Sequence, residues 1–390
     1  MNGNAQPYET QGAVPLRALL SQLNWLNALN DEPRNGVYEY RFYSDAHITG
    51  EIASGLGPYS FLNTVPIPHT PGTVTAPIIL RLVDHLPEYR PDMSKRDEAF
   101  YHGGTMVDEL AALSSLCIGA RIMAGGESRR FEPGQDPLGR PCSWDYKPAP
   151  FLRVRPGRYV LPAITGTHSL SNLEMLHSIP IISPERYVNL VRSCIAYQNA
   201  LWVAESEPHL AWLLFVSSLE TAANDSHLSG TSPVERLREA KPDVASILGE
   251  VGGNQLVEKI AELIAPSLGA TKKFLDFTLE FSPDEPADRP DQEWLRIEWS
   301  KTNLKNALRK VYNYRSRSLH GGLPFPAPMC EPPFYFSRQS KPSEVPLTGL
   351  ASHSRGGTWL PEDTPINLHL FHYITRGTLL NWWRNLADSR

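Results

Sequence analysis

The stretch KTNLKNALRKVYNYRSRSLHGG, residues 301 to 322, combines a helical apolar pattern with an arginine inside that pattern. Four side chains fall within about 60° of Leu304 on a helical wheel, namely Leu308, Val311, Arg315 and Leu319. The pattern predicts a helix over 300–319 whose apolar stripe contains Arg315. An arginine that faces a core needs a partner, because an unpaired buried charge strongly destabilises the fold.

A possible partner for Arg315 occurs in LLFVSSLETAAND, residues 213 to 225. There Glu220 shares a helix face with Leu213, Val216 and Ala223, although that helix is apolar nearly all round. If the two helices pack together, Glu220 and Arg315 form a hydrogen-bonded ion pair between them. Such a pair has two interpretations, a structural role in fixing the packing or a role in a functional site.

His320 follows Arg315 by five residues, which places it about 140° away on an ideal helix. Gly321 and Gly322 come next, and glycine readily adopts the left-handed conformation that ends a helix. We expect this helix end to change the relative direction of the two side chains. A histidine at the carbonyl end of a helix can hold or pass a proton near neutral pH.

The same region is strongly basic, since no acidic residue occurs from Ser300 to Cys330. Three of its cations recur at i, i+4 spacing and predict a ridge suited to a phosphate backbone: Lys301, Lys305 and Arg309. Further cations of the region are Lys310 and Arg317. The alternative is a solvated helix face, since many basic stripes have no ligand.

Residues 1 to 180 predict a mixed α/β domain. Leucines at helical spacing from Leu16 to Leu26 predict a helix, and alternating residues predict strands over 37–43 and 77–83. We expect a helix over 108–123 that is stopped by Gly125 and Gly126, no lasting regular element over 127–150, and a hairpin over 151–164 that turns at Pro156 and Gly157.

Residues 181 to 390 predict an all-α domain, so that the whole chain is α+β. The predicted helices are Pro184 to Glu205, Pro208 to Asn224, 233–249, 254–265, 300–319 and Pro365 to Leu386, the last capped by Thr364. Residues 323–363 predict a long proline-rich loop. Loops of that length in a compact domain usually carry function or bind a partner.

Composition limits the function classes. The formal net charge of -5 gives no whole-chain argument for nucleic-acid binding, so that argument rests on the local basic region. Four scattered cysteines without a CxxC pair favour thiols in a reducing compartment, and we therefore expect a cytoplasmic protein. No segment predicts a secretion signal or a membrane span.

The segment YNYRSRSLHGG (312–322) resembles the signature of the HEPN superfamily, specifically its Apea-like branch. The matching positions are Tyr312, Arg315, Ser316, His320 and Gly321, and the earlier helix that ends in Leu219 and Glu220 is also similar to that branch. The motif context carries this resemblance, because arginine-histidine spacing alone recurs, for example at Arg81 and His85. The resemblance covers roughly residues 184 to 388, and residues 1 to 180 match no family known to us.

The resemblance implies a HEPN-like helical bundle that acts as a metal-independent endoribonuclease and homodimer, as in toxin and antiviral defence systems. Arg315 and His320 would be catalytic, with Ser316 as the accompanying polar residue. Glu220 and Tyr312 would support them, and products would end in a 2′,3′-cyclic phosphate and a 5′-hydroxyl. The N-terminal domain would recognise a trigger, a regulator or the RNA. The alternative is a non-catalytic HEPN module that binds RNA, a nucleotide or a protein.

Other candidates are weaker. His369 and His372 lie three apart on the last predicted helix, a spacing that could serve a metal, but no carboxylate or cysteine clearly joins them, so we expect no metal and no cofactor. Phe371, Trp382 and Trp383 predict core or interface positions. The pair Gly55 and Gly57 lacks the third glycine of a dinucleotide loop.

Overall fold

We describe the fold from a computed structural model of the chain, which describes residues 18–64, 72–88, 92–94, 96, 104–132, 134, 137–142, 147–154, 157–224, 232–264 and 269–388. The prediction of an α+β fold is confirmed, with a strand-rich N-terminal part and a helical C-terminal part. No helix in these ranges is both long enough and apolar enough to cross a membrane.

The strands of the N-terminal part form one main sheet and one separate strand pair. They are β1 (Gly36–Ser44), β2 (His47–Thr49), β3 (Ile52–Leu56), β4 (Tyr59–Asn63), β5 (Thr75–Asp84), β6 (Met123–Phe131), β7 (Arg140–Pro141) and β8 (Thr167–Ser169). Six of them form an antiparallel sheet in the order β3-β4-β5-β1-β6-β7, and β2 pairs with β8 in parallel. The strands predicted over 37–43 and 77–83 are thereby confirmed as β1 and β5.

The first two helices pack beside this sheet. They are α1 (Leu20–Leu29) and α2 (Met106–Ile118). The predicted leucine helix is present as α1, with Leu16 outside the described residues, but its most buried face is largely polar rather than leucine-rich. Gln22 shows why, since its amide donates to the carbonyl oxygens of Ile179 at 2.8 Å and Ile182 at 2.7 Å. Polar side chains of α1 thus satisfy buried backbone groups.

The predicted helix over 108–123 ends earlier, and the predicted absence of regular structure over 127–150 is wrong for its first residues. Gly119 adopts a left-handed conformation with φ of 75° and ends α2, after which β6 extends through Phe131. A Cβ at Gly125 would lie 2.7 Å from Cε2 of Tyr43, so the glycine allows β1 and β6 to approach closely. The glycine pair therefore belongs to a strand.

The predicted hairpin over 151–164 is also wrong in the described residues, while Pro156 lies outside them. Residues 151–154 and 157–161 are irregular, and Pro162–Thr165 forms a 3₁₀ turn. The backbone N–H groups of Val160 and Leu161 donate to the carboxylate of Glu205 at 2.8 and 3.2 Å. The Glu205 carboxylate thus provides the hydrogen-bond acceptors that a neighbouring strand would have provided.

The C-terminal part is helical. Its helices are α3 (Pro184–Val203), α4 (Pro208–Ala223), α5 (Pro233–Ala240), α6 (Pro242–Ile264), α7 (Ala270–Glu280), α8 (Lys301–Gly321) and α9 (Leu368–Asp388). Two helices were predicted where α5 and α6 lie, joined at Gly252 and Gly253. Gly253 has a non-helical φ of 65° and breaks α6 at that place, and a further break that was not predicted, at Lys241, separates α5 from α6. No helix was predicted for α7, and α9 begins at Leu368 rather than at Pro365, so Thr364 does not cap it.

The proline-rich segment 323–363 is mostly irregular and carries one short hairpin, β9 (Ser352–Ser354) with β10 (Gly357–Trp359). The buried apolar residues form one continuous core that includes Leu19 at one end of the described chain and Leu386 at the other. Helices α5 and α6 have a separate small core of Leu237, Ala245, Val257 and Ala261. The division at residue 180 stays a prediction, since both parts contribute to the main core.

Candidate functional site at the end of α8

Helix α8 carries most of the predicted site residues, and its apolar face fixes their direction. The Ser300 hydroxyl accepts a hydrogen bond from the backbone N–H of Asn303 at 3.3 Å and caps the first turn. The buried side chains of the helix are Leu304, Ala307, Leu308, Val311 and Tyr312. They pack against α4 and α7, which sets the rotation of α8 about its axis.

The structure joins Arg315 and Glu220, as the two helical patterns predict. Nη2 of Arg315 donates to Oε2 of Glu220 at 2.6 Å, and the hydroxyl of Tyr312 donates to Oε1 of the same carboxylate at 2.9 Å. The Tyr312 ring lies 5.5 Å from Cζ of Arg315, within the range of a cation–π contact. One glutamate therefore holds both residues, and the aromatic ring supports the guanidinium.

Arg315 is less buried than its place in the apolar stripe predicts. Its side chain is 20% exposed and that of Glu220 is 21% exposed, while Leu319 one turn later is 53% exposed. The reason is that α4 ends at Ala223, so the last turn of α8 has little of α4 to pack against. Arg315 is thus anchored but accessible, and its Nε has no hydrogen-bond partner in the described residues.

Tyr312 keeps its proton in this arrangement. Burial raises the pKa of its phenol to about 12, and the neighbouring Glu220 carboxylate acts in the same direction. A protonated phenol can donate to Glu220 throughout the physiological pH range. The supporting role expected for Tyr312 and Glu220 has this geometric basis.

His320 lies in the last turn of α8, because the helix continues through Gly321 before it ends. Gly322 has φ of 65°, and its backbone N–H donates to the carbonyl oxygen of Ser318 at 3.1 Å. The predicted glycine end of the helix is confirmed, but it comes too late to turn His320 towards Arg315. The two side chains keep their angular separation of about 140°, and His320 is exposed.

Neither His320 nor Ser316 joins the Glu220 cluster within one chain. His320 makes no hydrogen bond or ion pair with the described residues, and the half-buried Ser316 makes no side-chain hydrogen bond with them. The single chain therefore presents an anchored arginine and a free histidine on different faces of one helix end. A site that uses both groups needs a second surface that brings them together.

The predicted basic ridge is present on the exposed side of α8. Lys301, Lys305 and Arg309 are all exposed. Lys310 instead bonds to the backbone carbonyl of Glu362 and fastens the proline-rich segment to α8. Arg317 stacks over Tyr314, with Cζ 5.7 Å from the ring centre. The ridge thus consists of the three i, i+4 residues, and the other two cations have intramolecular contacts.

The remaining candidates fall in the core. His372 Nε2 lies 2.8 Å from the Tyr197 hydroxyl, and His369 Nε2 lies 2.5 Å from the backbone oxygen of Ser343. Burial lowers the pKa of both histidines, that of His372 to about 3. In the described residues no group of three or more histidine, cysteine or acidic side chains could hold a metal ion. Phe371, Trp382 and Trp383 are buried, as expected.

Two charged features escaped the sequence patterns. Arg121 is fully buried and pairs with Asp45 at 2.6 Å and Glu205 at 3.0 Å, which ties the sheet to the end of α3. Arg376 and Arg384 line a cleft beside α9. Their spacing of eight residues on one helix was the only sequence signal, and it has meaning only once the facing surface is known.

Comparison with family models, with curated proteins and with solved structures gives no match for this chain. The arrangement of Arg315, Glu220 and Tyr312, the exposed His320 and the basic ridge is therefore the basis for any functional assignment.

Proposed function

We propose that the chain is a metal-independent endoribonuclease of the HEPN type that works as a homodimer. The observation that carries the proposal is the state of Arg315, which is held by Glu220 through one Nη while its guanidinium remains partly exposed. A purely structural ion pair has no need of a partly exposed arginine on a helix that also carries a free histidine and a basic ridge.

The chemistry needs no metal, because RNA supplies its own nucleophile. The 2′-oxygen attacks the neighbouring phosphorus and loses its proton, while the bond from phosphorus to the 5′-oxygen breaks and that oxygen gains a proton. His320 from one or both protomers moves these protons, and Arg315 stabilises the negative charge of the phosphorane with its planar donor fork. The products are a 2′,3′-cyclic phosphate and a 5′-hydroxyl.

The geometry of α8 supports the dimer in this proposal. Since Arg315 and His320 point away from each other on one helix end, a composite site would combine Arg315 of one copy with His320 of the other. The exposed Leu319 and Leu323 next to His320 give this helix end an apolar surface suited to self-association. The basic ridge would guide the RNA backbone towards the site, and the N-terminal part would recognise a trigger, a regulator or the RNA.

The test is cleavage of a mixed RNA pool in EDTA by the purified full chain. We expect wild type to cut and the His320→Ala variant to lose about 10²-fold or more of the rate. His177→Ala is the matched control, because His177 is also exposed and lies away from α8. Both variants should unfold at the wild-type temperature, since neither histidine makes a hydrogen bond with the described residues.

Two results would count against the nuclease proposal. One is intact RNA under every activating condition, and the other is equal cleavage by wild type and His320→Ala. The first result together with RNA or protein binding at α8 would favour the non-catalytic module. The chemical nature of the ends provides a further check, because products with a 5′-phosphate and a 3′-hydroxyl would require a different mechanism.

A further inference from the structure

A cleft beside α9 lies where the strand-rich part meets the helical part. It has a volume of about 560 Å³, within the range of about 300–1,000 Å³ that is usual for small-molecule sites. One wall includes Gly119 and His168, and the other includes Leu380 and the two arginines of α9, Arg376 and Arg384. A ligand bound here would contact both parts of the chain.

Arg376 is fixed at one end of the cleft. Its Nε donates to the carbonyl oxygen of Leu116 at 3.0 Å and its Nη2 to that of Cys117 at 2.6 Å, so it satisfies the last carbonyls of α2. A Cβ at Gly119 would lie 2.7 Å from Nε of Arg376, which explains the glycine there. In the described part of the chain no carboxylate pairs with this guanidinium. The two N–H groups of Nη1 make no hydrogen bond with the described residues.

Arg384 is fixed at the other end by an amide. Its Nη1 donates to Oδ1 of Asn381 at 2.7 Å, and Nδ2 of Asn381 donates in turn to the carbonyl oxygen of Phe281 at 3.1 Å. Among the described residues Arg384 also has no carboxylate partner. The cleft is therefore lined by two guanidinium groups, the half-buried Arg376 and the exposed Arg384, that form no ion pair with the described residues.

The charge balance of the lining favours an anion. Two arginines and one acidic residue, Asp284, give a net charge of +1 if the histidines are neutral. Burial lowers the pKa of His168, and it lowers the pKa of His372 to about 3, with Arg376 contributing to both shifts. Nδ1 of His168 donates to the Ile118 carbonyl at 3.0 Å, and its Nε2 is buried without a hydrogen-bond partner among the described residues.

The spacing of the arginines indicates the kind of anion. Eight residues along a helix correspond to about 12 Å of rise. The two guanidinium groups are held by different partners, the carbonyl oxygens of Leu116 and Cys117 for Arg376 and the Asn381 amide for Arg384. Gly377 lies between the two arginines, and a Cβ there would meet Cβ of Pro283 at 2.5 Å, which lets the segment that contains Pro283 pack close to α9. One phosphate group is too small to contact both arginines.

We propose that this cleft binds a small phosphate ester with two anionic groups, one held by Arg376 and the other by Arg384. This site goes beyond the proposed nuclease and uses none of its residues. Because guanidinium groups bind carboxylates as well as phosphates, a polycarboxylate is included in the test.

The test is calorimetric titration of the full chain, without RNA, with four probes. We expect adenosine 3′,5′-bisphosphate to bind, 5′-AMP to bind about tenfold more weakly, citrate to bind more weakly than the bisphosphate, and adenosine to give no measurable binding. The Arg384→Gln variant should weaken the bisphosphate by about tenfold or more. Arg34→Gln is the matched control, because Arg34 is an exposed arginine outside the cleft.

Arg376→Gln provides a second variant, interpreted only if its thermal unfolding matches wild type, because Arg376 also caps α2. The proposal is wrong if the bisphosphate does not bind at millimolar concentration, if citrate binds more tightly than the bisphosphate, or if Arg384→Gln binds as tightly as wild type. His320→Ala should bind the bisphosphate with wild-type affinity. If the nuclease proposal fails, the cleft can still bind the bisphosphate. If the cleft does not bind it, the nuclease proposal is unaffected.

Discussion

Glu220 divides its carboxylate between two residues of one helix, accepting from Arg315 with Oε2 at 2.6 Å and from Tyr312 with Oε1 at 2.9 Å. Each of the two oxygens therefore has a fixed partner, and the guanidinium is left with donors that no described residue occupies. An arginine held in this way is ordered before a ligand arrives, which reduces the entropy cost of binding a phosphate.

Replacing Glu220 with glutamine should lower both stability and RNA cleavage. The pair is only about one fifth exposed, so the loss of the glutamate charge should cost about 1–3 kcal/mol of unfolding free energy. The arginine loses its anionic anchor, and we expect kcat/KM to fall about tenfold or more. Urea unfolding and cleavage kinetics would be measured beside Glu174→Gln, an exposed glutamate elsewhere. Unchanged kinetics in Glu220→Gln would contradict the anchoring role.

The two glycines after His320 should respond differently to alanine. Gly322 has φ of 65°, so Gly322→Ala should lower the unfolding free energy by about 1 kcal/mol. Gly321 is helical with open space at its Cβ position, so Gly321→Ala should be neutral or slightly stabilising. Urea unfolding of both variants measures the difference. Equal changes in unfolding free energy would contradict the left-handed conformation of Gly322 at the end of the helix.

The basic ridge makes a prediction about salt. If Lys301, Lys305 and Arg309 contact the RNA backbone, replacing all three with glutamine should weaken RNA binding and reduce the slope of log K against log salt by about 0.7 for each phosphate left without its cation. Lys310→Gln should change the slope little, because Lys310 is bonded to Glu362. Fluorescence anisotropy over a salt series tests this, and an unchanged slope in the triple variant would mean that the ridge is only solvated.

Buried histidines should make the fold sensitive to mild acid. Burial lowers the pKa of His168, His369 and His372, the last to about 3 from an ordinary value of 6.5. Below about pH 6.5 the unfolded chain therefore binds more protons than the folded chain. The stability of the fold with neutral buried histidines is fully present above that pH and is lost as the pH falls. Each histidine lowers the unfolding free energy by at most about 1.4 kcal/mol for each unit by which the pH falls.

The contribution of His372 can be isolated with His372→Gln, which keeps an oxygen to accept from the Tyr197 hydroxyl. Urea unfolding at about pH 7.5 and about pH 5, on either side of the ordinary histidine pKa, should show a smaller loss of stability in this variant than in wild type. Identical losses would mean that other groups dominate the acid response. The exposed His177 serves as the control, because His177→Gln should lose as much stability as wild type.

The ion pair between Glu220 and Arg315 was predictable because each residue lies in a helical pattern that can be extracted from local sequence. The exposure of Leu319 was not, since it depends on where the neighbouring helix ends. The strand β6 escaped prediction because Gly125 and Gly126 resemble a stop signal, whereas the first of them is required by the close approach of Tyr43. Local patterns do not contain such contacts between distant segments.

Helix α1 and the hairpin prediction over 151–164 illustrate the same limit. Gln22 is buried because the distant carbonyl groups of Ile179 and Ile182 need donors, and the backbone at Val160 is irregular because Glu205 provides an acceptor. The cleft beside α9 likewise depends on residues such as His168, which faces α9 only in the folded chain. Sequence periodicity predicts which face of an element is apolar, and it does not predict which polar groups will meet.

The most direct test of the central claim is subunit complementation between two inactive variants. Arg315→Ala and His320→Ala would be unfolded together, refolded as a mixture and assayed on RNA in EDTA. If Arg315 of one copy works with His320 of the other, each mixed dimer contains one intact site, and random pairing should restore about a quarter of the wild-type rate. A mixture as inactive as either variant alone, beside an active wild type, would contradict a site built from Arg315 of one copy and a single His320 of the other.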